Sequence, residues 1–257
     1  MITLRIQGGL GNQLFQIAFS DYLARLNTTP VYLTLSNKKD VPPHANINYF
    51  DTLFKNWNPL RNNDVFTIYS KRIFEPYYSY LFKSKYTILK SNILIIGFFQ
   101  TTQYIQSDFV SKLDFSSSFS VLEKYANISE CVFLHIRGGD YIHTESSLLY
   151  NIDLNNYYTK AISMFPENTT FMIFTDDNEY TKTKSFLNNI KYQFIDENEV
   201  DSLFLMSKCK GGICANSTFS WWGAYLNRNR LLTFPSKWRT DMTSSSYHFE
   251  GLTVVEI

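Results

Sequence analysis

The stretch Cys131-Val132-Phe133-Leu134-His135-Ile136-Arg137-Gly138-Gly139-Asp140-Tyr141 decides how this chain is read. Cys131–Leu134 is a short apolar run with the length of a buried strand. It leads into a cation, two glycines and a carboxylate. In open α/β sheets ligands bind at the carboxyl ends of the strands, so this order of residues places charge where a ligand would lie. The two glycines let backbone approach a bulky or charged group. Taken alone, a plain turn with a solvated Arg–Asp pair explains the same residues. The surroundings must decide.

Outward from this stretch the chain alternates between strand and helix patterns. Toward the carboxyl end, helices are predicted over Leu154–Phe165, Glu179–Asn188, Val200–Lys208 and Ser220–Asn227. Strands are predicted over Phe171–Thr175, Tyr192–Ile195, Gly211–Ala215, Leu231–Phe234 and Leu252–Val255. Toward the amino end, Ile2–Gln7 reads as a strand, Asn12–Leu26 as a helix and Val31–Leu35 as a strand. Asn92–Phe98 follows as a strand and Tyr104–Leu113 as a helix. The segment Lys38–Lys90 is rich in aromatics, Asn and Lys and is broken by Pro42-Pro43, so short helices and loops are expected there. Repeated βα units predict α/β architecture with parallel sheets covered by helices. The serine-rich stretch Ser116–Ser120 divides it into residues 1–118 and 119–257, two α/β domains.

Bulk properties narrow the function. The 257 residues are 44% hydrophobic and 18% charged, enough apolar material for a core and too little charge for disorder. A formal net charge of +1 gives no electrostatic case for nucleic acid as a partner. Cys131, Cys209 and Cys214 lack Cys-x-x-Cys spacing and read as free thiols in a reducing compartment. Met1–Ile6 reads as a first strand rather than a leader peptide, and no stretch approaches the ~18 apolar residues of a membrane span. A cytoplasmic protein is expected. The aromatic and basic stretch Ile73–Lys85 reads first as an inward-packed helix, with peripheral contact at the inner face of a membrane as the alternative.

Three constellations sit at predicted strand ends. Gly8-Gly9-Leu10-Gly11-Asn12-Gln13 follows the first strand and opens a helix, a natural place for an anion, with Asn12 suited to cap it. It is not a dinucleotide fingerprint: Leu14 stands where the third glycine belongs, and Val31–Leu35 carries no acidic residue. Arg137 offers a bidentate, charge-assisted bond to phosphate; Asp140 could act as a base or hold Arg137 in place. His135 alternates with Arg137 and could be a hydrogen-bonded core histidine. Asn216-Ser217-Thr218-Phe219-Ser220 lies where a strand meets a helix, with hydroxyls for phosphate and a ring for a base; the following Trp221-Trp222 reads as packing. Asp176-Asp177, at a fourth strand end, could accept from a base or ribose or cap the next helix. No cluster of His, Cys and carboxylates has metal spacing, so no metal is expected.

In combination these residues resemble the family 11 glycosyltransferases, whose best-known members are α-1,2-fucosyltransferases. Gly8–Gln16 is similar to the family's amino-terminal signature. Gly97–Tyr104 resembles its Gly-aromatic-Phe-Gln segment, His135–Tyr141 its His-x-Arg-Arg-x-Asp motif, and Asn216–Leu226 its Ser-Phe-Ser-Trp-Trp block. The resemblance implies a GT-B-like fold of two facing Rossmann-type α/β domains. The amino-terminal one would take a glycan acceptor and the carboxyl-terminal one the GDP-sugar donor.

The same resemblance implies inverting transfer of L-fucose from GDP-β-L-fucose to a galactoside hydroxyl, with no cofactor and no obligatory metal. Arg137 and Asp140 are the candidate catalytic residues. Gly9, Gly11, Asn12, Gln13, His135, Arg137, Asp176, Asn216, Ser217, Thr218 and Phe219 are the candidate donor-binding residues. His143 is a second candidate base, with a surface histidine as its alternative. One departure stands out: Gly138 occupies the place of the usual second Arg, which removes a phosphate contact and opens a different donor sugar. A catalytically silent glycan- or sugar-nucleotide-binding protein is the alternative of another class. Retention of Arg137, Asp140, Ser217 and Thr218 speaks against it.

Overall fold

A computed structural model of the chain describes residues 1–35, 47–57, 71–74, 93–143, 148–228 and 230–257; the side chains of residues 71–74 and His143 lie outside that description. The chain divides into two compact units, Met1–Ser117 and Ser118–Ile257. Among the described residues no helix is long and apolar enough to cross a membrane. Most of Ile73–Lys85, for which an inward-packed helix and a membrane contact were the two readings, lies outside the described residues.

The first unit holds β1 (Ile2–Ile6), α1 (Leu10–Asn27), β2 (Val31–Leu35), β3 (Lys71–Phe74) and β4 (Ile93–Ile96). Its sheet has the order β2-β1-β4-β3 with every pairing parallel. Ile2, Leu4 and Ile6 are buried, and α1 covers the sheet with Leu14, Phe15, Ile17, Ala18, Phe19 and Leu23. A buried glutamine ties the strand ends together. Gln16 accepts from the Gln7 amide at 3.0 Å and donates to the Gly97 carbonyl at 2.9 Å.

Three expectations for this unit are corrected. β3 forms inside the segment read as helices and loops: it joins β4 in register from Lys71 opposite Ile93 to Phe74 opposite Ile96. Its short run Lys-Arg-Ile-Phe shows no alternation to mark it. The helix expected over Tyr104–Leu113 is instead two single 3₁₀ turns, Thr102–Tyr104 and Val110–Lys112. Tyr104 and Phe109 are buried, while Asp108 between them pairs with Arg25 and Lys112, so the aromatics anchor a loop rather than a helix face. α1 begins at Leu10 with Gly9 at the N-cap, not with Asn12 there. The turn at Gly8, φ +84°, points the chain into the helix early; the Asn12 and Gln13 amides both donate to the Gly9 carbonyl at 3.0 Å.

The second unit holds α2 (Val121–Lys124), β5 (Val132–Ile136), α3 (Asp140–His143), α4 (Asn155–Ser163), β6 (Thr170–Thr175), α5 (Asn178–Lys182) and β7 (Lys191–Phe194). It continues with α6 (Glu199–Lys208), β8 (Gly211–Ile213), α7 (Thr218–Asn227), β9 (Leu231–Pro235), β10 (Lys237–Arg239), β11 (Met242–Thr243) and β12 (Leu252–Val255). Its main sheet is parallel, in the order β12-β9-β8-β5-β6-β7. The chain runs outward from β5 through β6 to β7, then returns to β8 and runs the other way through β9 to β12. Strand order therefore reverses between β5 and β8, the switch point where open α/β sheets bind ligands.

Both faces of β5 are buried. Val132, Leu134 and Ile136 pack with Tyr157, Tyr158 and Ala161 of α4 and with Phe171 and Ile173 of β6. Phe133 and His135 alternate to the other face. Gly212 of β8 is required there, because a Cβ would overlap the Phe133 ring. Gly223 of α7 lets that helix close on Met206 of α6. The helix expected over Glu179–Asn188 is shorter: α5 ends at Lys182 and a 3₁₀ turn covers Ser185–Leu187. All three cysteines are free and buried, and burial pushes the thiols of Cys209 and Cys214 well up.

Candidate active site

The carboxyl ends of β5, β6 and β8 bring the carboxyl-terminal candidates together. β5 extends through Ile136, so Arg137 is the first residue beyond the strand. Its Nη2 lies 2.6 Å from Oδ1 of Asp140, at the start of α3, and its Nη1 2.9 Å from Oδ2 of Asp176, beyond β6. The other Asp176 oxygen accepts from the Gly138 amide at 2.8 Å. The guanidinium carbon lies 5.2 Å from the centre of the Tyr141 ring. Burial opposes the charge of Arg137, but Asp176, Tyr141 and Asp140 outweigh it and its pKa is raised. Arg137 is a fixed cation, with one buried nitrogen, Nε, that has no hydrogen-bond partner among the described residues.

The glycines of this turn have separate reasons. Gly139 has φ +41°, and a Cβ there would strike the Asp176 carboxylate. A Cβ on Gly138 would come within 2.8 Å of Asp177 Cβ and 2.9 Å of Tyr180 Cδ1. The space beside residue 138 is thus filled by α5. Asp177 caps that helix by accepting from the Tyr180 amide at 2.9 Å, which holds the Tyr180 backbone beside the turn. Asp176 serves Arg137 and Gly138, and Asp177 takes the capping role.

His135 is buried, with its ring 5.6 Å from that of Phe219. Burial, reinforced by Arg137, pushes its pKa down to about 3, so the imidazole is neutral. Its Nδ1 has no hydrogen-bond partner among the described residues.

Beyond β8, Asn216 is buried and donates to the carbonyls of Tyr150 at 2.9 Å and Trp238 at 3.0 Å. Its amide joins three loops. Ser217 caps α7, accepting from the Phe219 amide at 3.3 Å, and Thr218 and Phe219 are half-buried in the first turn. Trp221 and Trp222 are fully buried packing residues. The first turn of α7 presents backbone N–H groups at the switch point, the arrangement that favours an anion.

In the first unit, Gly9 lies beyond β1 and Gly11 is buried in the first turn of α1. Asn12 accepts from Gln100 at 2.8 Å. Gln13 is buried and holds the turn, donating to the carbonyls of Gly8 at 2.9 Å and Ile47 at 3.0 Å.

Tyr141, Tyr150, Tyr180 and Lys184 join the site without having been singled out in the sequence. The half-buried Tyr141 donates from its phenol to the Asn216 carbonyl at 3.3 Å, linking the β5 and β8 loops, and desolvation pushes its pKa up. A cleft in this unit is lined by Arg137, Tyr141, Tyr150, Tyr180, Lys184 and Asn216, among others. The sequence signal for Tyr141 was its place directly after Arg-Gly-Gly-Asp. Tyr180 and Lys184 carried none, because tertiary packing alone brings α5 to the turn. Among the described residues no group of three or more His, Cys, Asp or Glu could hold a metal ion.

Residues 1–242 match the sequence profile of glycosyl transferase family 11. An O-antigen biosynthesis glycosyltransferase, WbnK, from Escherichia coli is 28% identical, covering 91% of this chain and 93% of that protein. An alpha-1,2-colitosyltransferase from Escherichia coli is also 28% identical, over 90% of this chain and 89% of its own. Among solved structures, fucosyltransferase NodZ from Bradyrhizobium has a TM-score of 0.52 at 10% identity, covering 86% of this chain and 92% of that one. POFUT1 in complex with GDP-fucose has a TM-score of 0.51 at 12% identity, covering 89% and 94%. At such identities these two structures bear on fold alone, and they agree with a GT-B-like class of Rossmann-type α/β units with parallel sheets. The profile match spans nearly the whole chain, and the chain belongs to glycosyl transferase family 11.

Proposed function

We propose that this glycosyltransferase moves L-fucose from GDP-β-L-fucose to the 2-hydroxyl of a galactoside, with inversion, in the synthesis of a bacterial surface glycan such as O-antigen. The observation that carries this reading is the placement of Arg137 at the β5–β8 switch point, held by Asp140 and Asp176, with the first turn of α7 beyond β8. Support for the donor and setting comes from relatives: a family 11 profile, and an O-antigen glycosyltransferase similar over nine-tenths of both chains.

Inverting transfer is a single displacement. The acceptor oxygen forms a bond to the anomeric carbon as the bond from that carbon to the diphosphate oxygen breaks, and the acceptor proton passes to a base. Negative charge grows on the departing diphosphate. In this proposal Arg137 and the N–H groups at the start of α7 receive that charge, with no obligatory metal. One such preorganised donor is typically worth about 10²–10³ in rate. His135 stays neutral and supports Phe219. Asn216 and Tyr141 act as positioning residues through the loops they join. Asp140, already bonded to Arg137 at 2.6 Å, serves as a brace rather than as the base.

A second reading keeps the chemistry and changes the sugar. It is favoured by the relative named an alpha-1,2-colitosyltransferase. One experiment separates them: incubation with GDP-fucose or nucleotide-linked colitose and an oligosaccharide ending in β-galactose, with products resolved by mass spectrometry and NMR. Galactoside-dependent transfer of fucose to O2 is expected. Transfer of colitose alone would establish the second reading, and no transfer of either would contradict both.

A further inference from the structure

We propose that Lys184 is the second cation of the donor site, binding the diphosphate of the nucleotide sugar beside Arg137. The inference rests on the donor reading above and adds a residue to it. It begins with charge: Arg137 is a single guanidinium between two carboxylates, Asp140 at 2.6 Å and Asp176 at 2.9 Å, so the trio carries one net negative charge. A diphosphate arriving there meets a well-placed donor flanked by two carboxylates, and a further cation improves the complementarity.

Lys184 is the residue placed to supply it. It lines the same cleft as Arg137, Tyr141 and Asn216. Its ammonium lies 3.6 Å from the centre of the Tyr180 ring, within cation–π range. That ring also fills the space beside Gly138, where a Cβ would lie 2.9 Å from Tyr180 Cδ1. One ring therefore joins the Gly138 turn to the ammonium. Among the described residues Lys184 has no carboxylate within salt-bridge distance, whereas neighbouring Lys182 is paired with Glu179 at 2.7 Å. Asp153, the acidic residue that lines the cleft, accepts from the Asn155 amide at 2.9 Å. Lysine suits this role because it is a point charge on a flexible stem that can leave the ring face for a phosphate oxygen. A side chain at 138 would press on Asp177 and on the Tyr180 ring that carries the ammonium, so Gly138, Tyr180 and Lys184 are linked through that ring.

Calorimetric binding of GDP and of guanosine to the intact protein tests this. Lys184→Met keeps the apolar stem on Tyr180 and removes the charge. The expected result is GDP affinity weakened about tenfold, as for loss of one charge-assisted bond. Guanosine affinity is expected to be unchanged, and Lys184→Arg to restore GDP binding to within about threefold. A lysine that only packs on Tyr180 would shift GDP and guanosine alike. Equal GDP binding by wild type and Lys184→Met, or an equal loss for guanosine, would overturn the inference while leaving the donor reading intact. Failure of the wild type to bind GDP would overturn both.

Discussion

The Arg137 guanidinium and the Asp176 carboxylate meet at 2.9 Å from the ends of adjacent parallel strands, β5 and β6. The second Asp176 oxygen holds the Gly138 amide, so one carboxylate fixes both the cation and the turn that follows it. Asp176→Asn keeps an acceptor for the amide and removes the charge. It is expected to lower stability by about 1–2 kcal/mol, between the values for an exposed pair and a buried one. In the Arg137→Ala background the loss should shrink, because the partner is gone. Urea unfolding of the four proteins checks this; equal losses in both backgrounds would mean the pair is not coupled.

Asp140 touches the same guanidinium from the other side, at 2.6 Å. A brace and a base respond differently to Asp140→Asn. For a brace, kcat/KM falls about tenfold at every pH and the profile keeps its shape. For a general base, the loss is about 10²–10⁴ and the acidic limb disappears. The brace pattern is expected.

Glycine at 138 and 212 answers to packing rather than backbone angle. Gly138→Ala places a methyl 2.8 Å from Asp177 Cβ and 2.9 Å from Tyr180 Cδ1. A loss of about 1–3 kcal/mol is expected, with donor affinity reduced as the Tyr180 ring moves. Gly212→Ala sets a methyl into the Phe133 ring within the sheet core and should be worse, lowering the yield of folded protein. Thermal melts of both variants give the ranking; a neutral Gly212→Ala would contradict the packing of β8 on β5.

His135 makes stability depend on acid. Its folded pKa, about 3, lies below that of an unfolded histidine, so the unfolded chain binds the proton first. The stabilisation is complete above the unfolded value of about 6.5 and is lost progressively as pH falls toward 3. Between pH 7 and pH 5 this group alone should cost about 2 kcal/mol. His135→Leu removes that part of the slope, whatever its own stability. Chemical unfolding at the two pH values measures it, and an unchanged slope would place the histidine in a protonated or exposed state.

Much of the second unit was legible because its strands are apolar runs ended by Gly, Asp or Ser. Val132–Ile136, Thr170–Thr175 and Leu231–Pro235 lie within two residues of their sequence reading at every end. Arg137, Asp140, Asp176 and Asn216 gather at strand ends because parallel βα units leave all carboxyl ends on one side. Less legible was anything fixed by distant contacts. Lys71–Phe74 is a strand only because β4 accepts it at the sheet edge. Asn12 looked like a cap, but the turn at Gly8 lets the helix start at Leu10, before it. Asn216 and Gln13 carry polar chemistry in sequence, and tertiary structure sets their amides to joining loops. Tyr180 and Lys184 had no motif, and only the packing of α5 and the residues after it against Gly138 brings them to the cleft that Arg137 lines.

Above all, the β5–β8 switch point should bind a guanosine diphosphate moiety through Arg137. Calorimetric titration of GDP into wild type and Arg137→Ala, with unfolding midpoints measured beside it, probes this without any acceptor. Binding by the wild type is expected, with a loss of affinity of about tenfold to 150-fold in a still-folded variant, the range for a charge-assisted bond. Unaltered GDP affinity in Arg137→Ala, or no binding by the wild type, would contradict it.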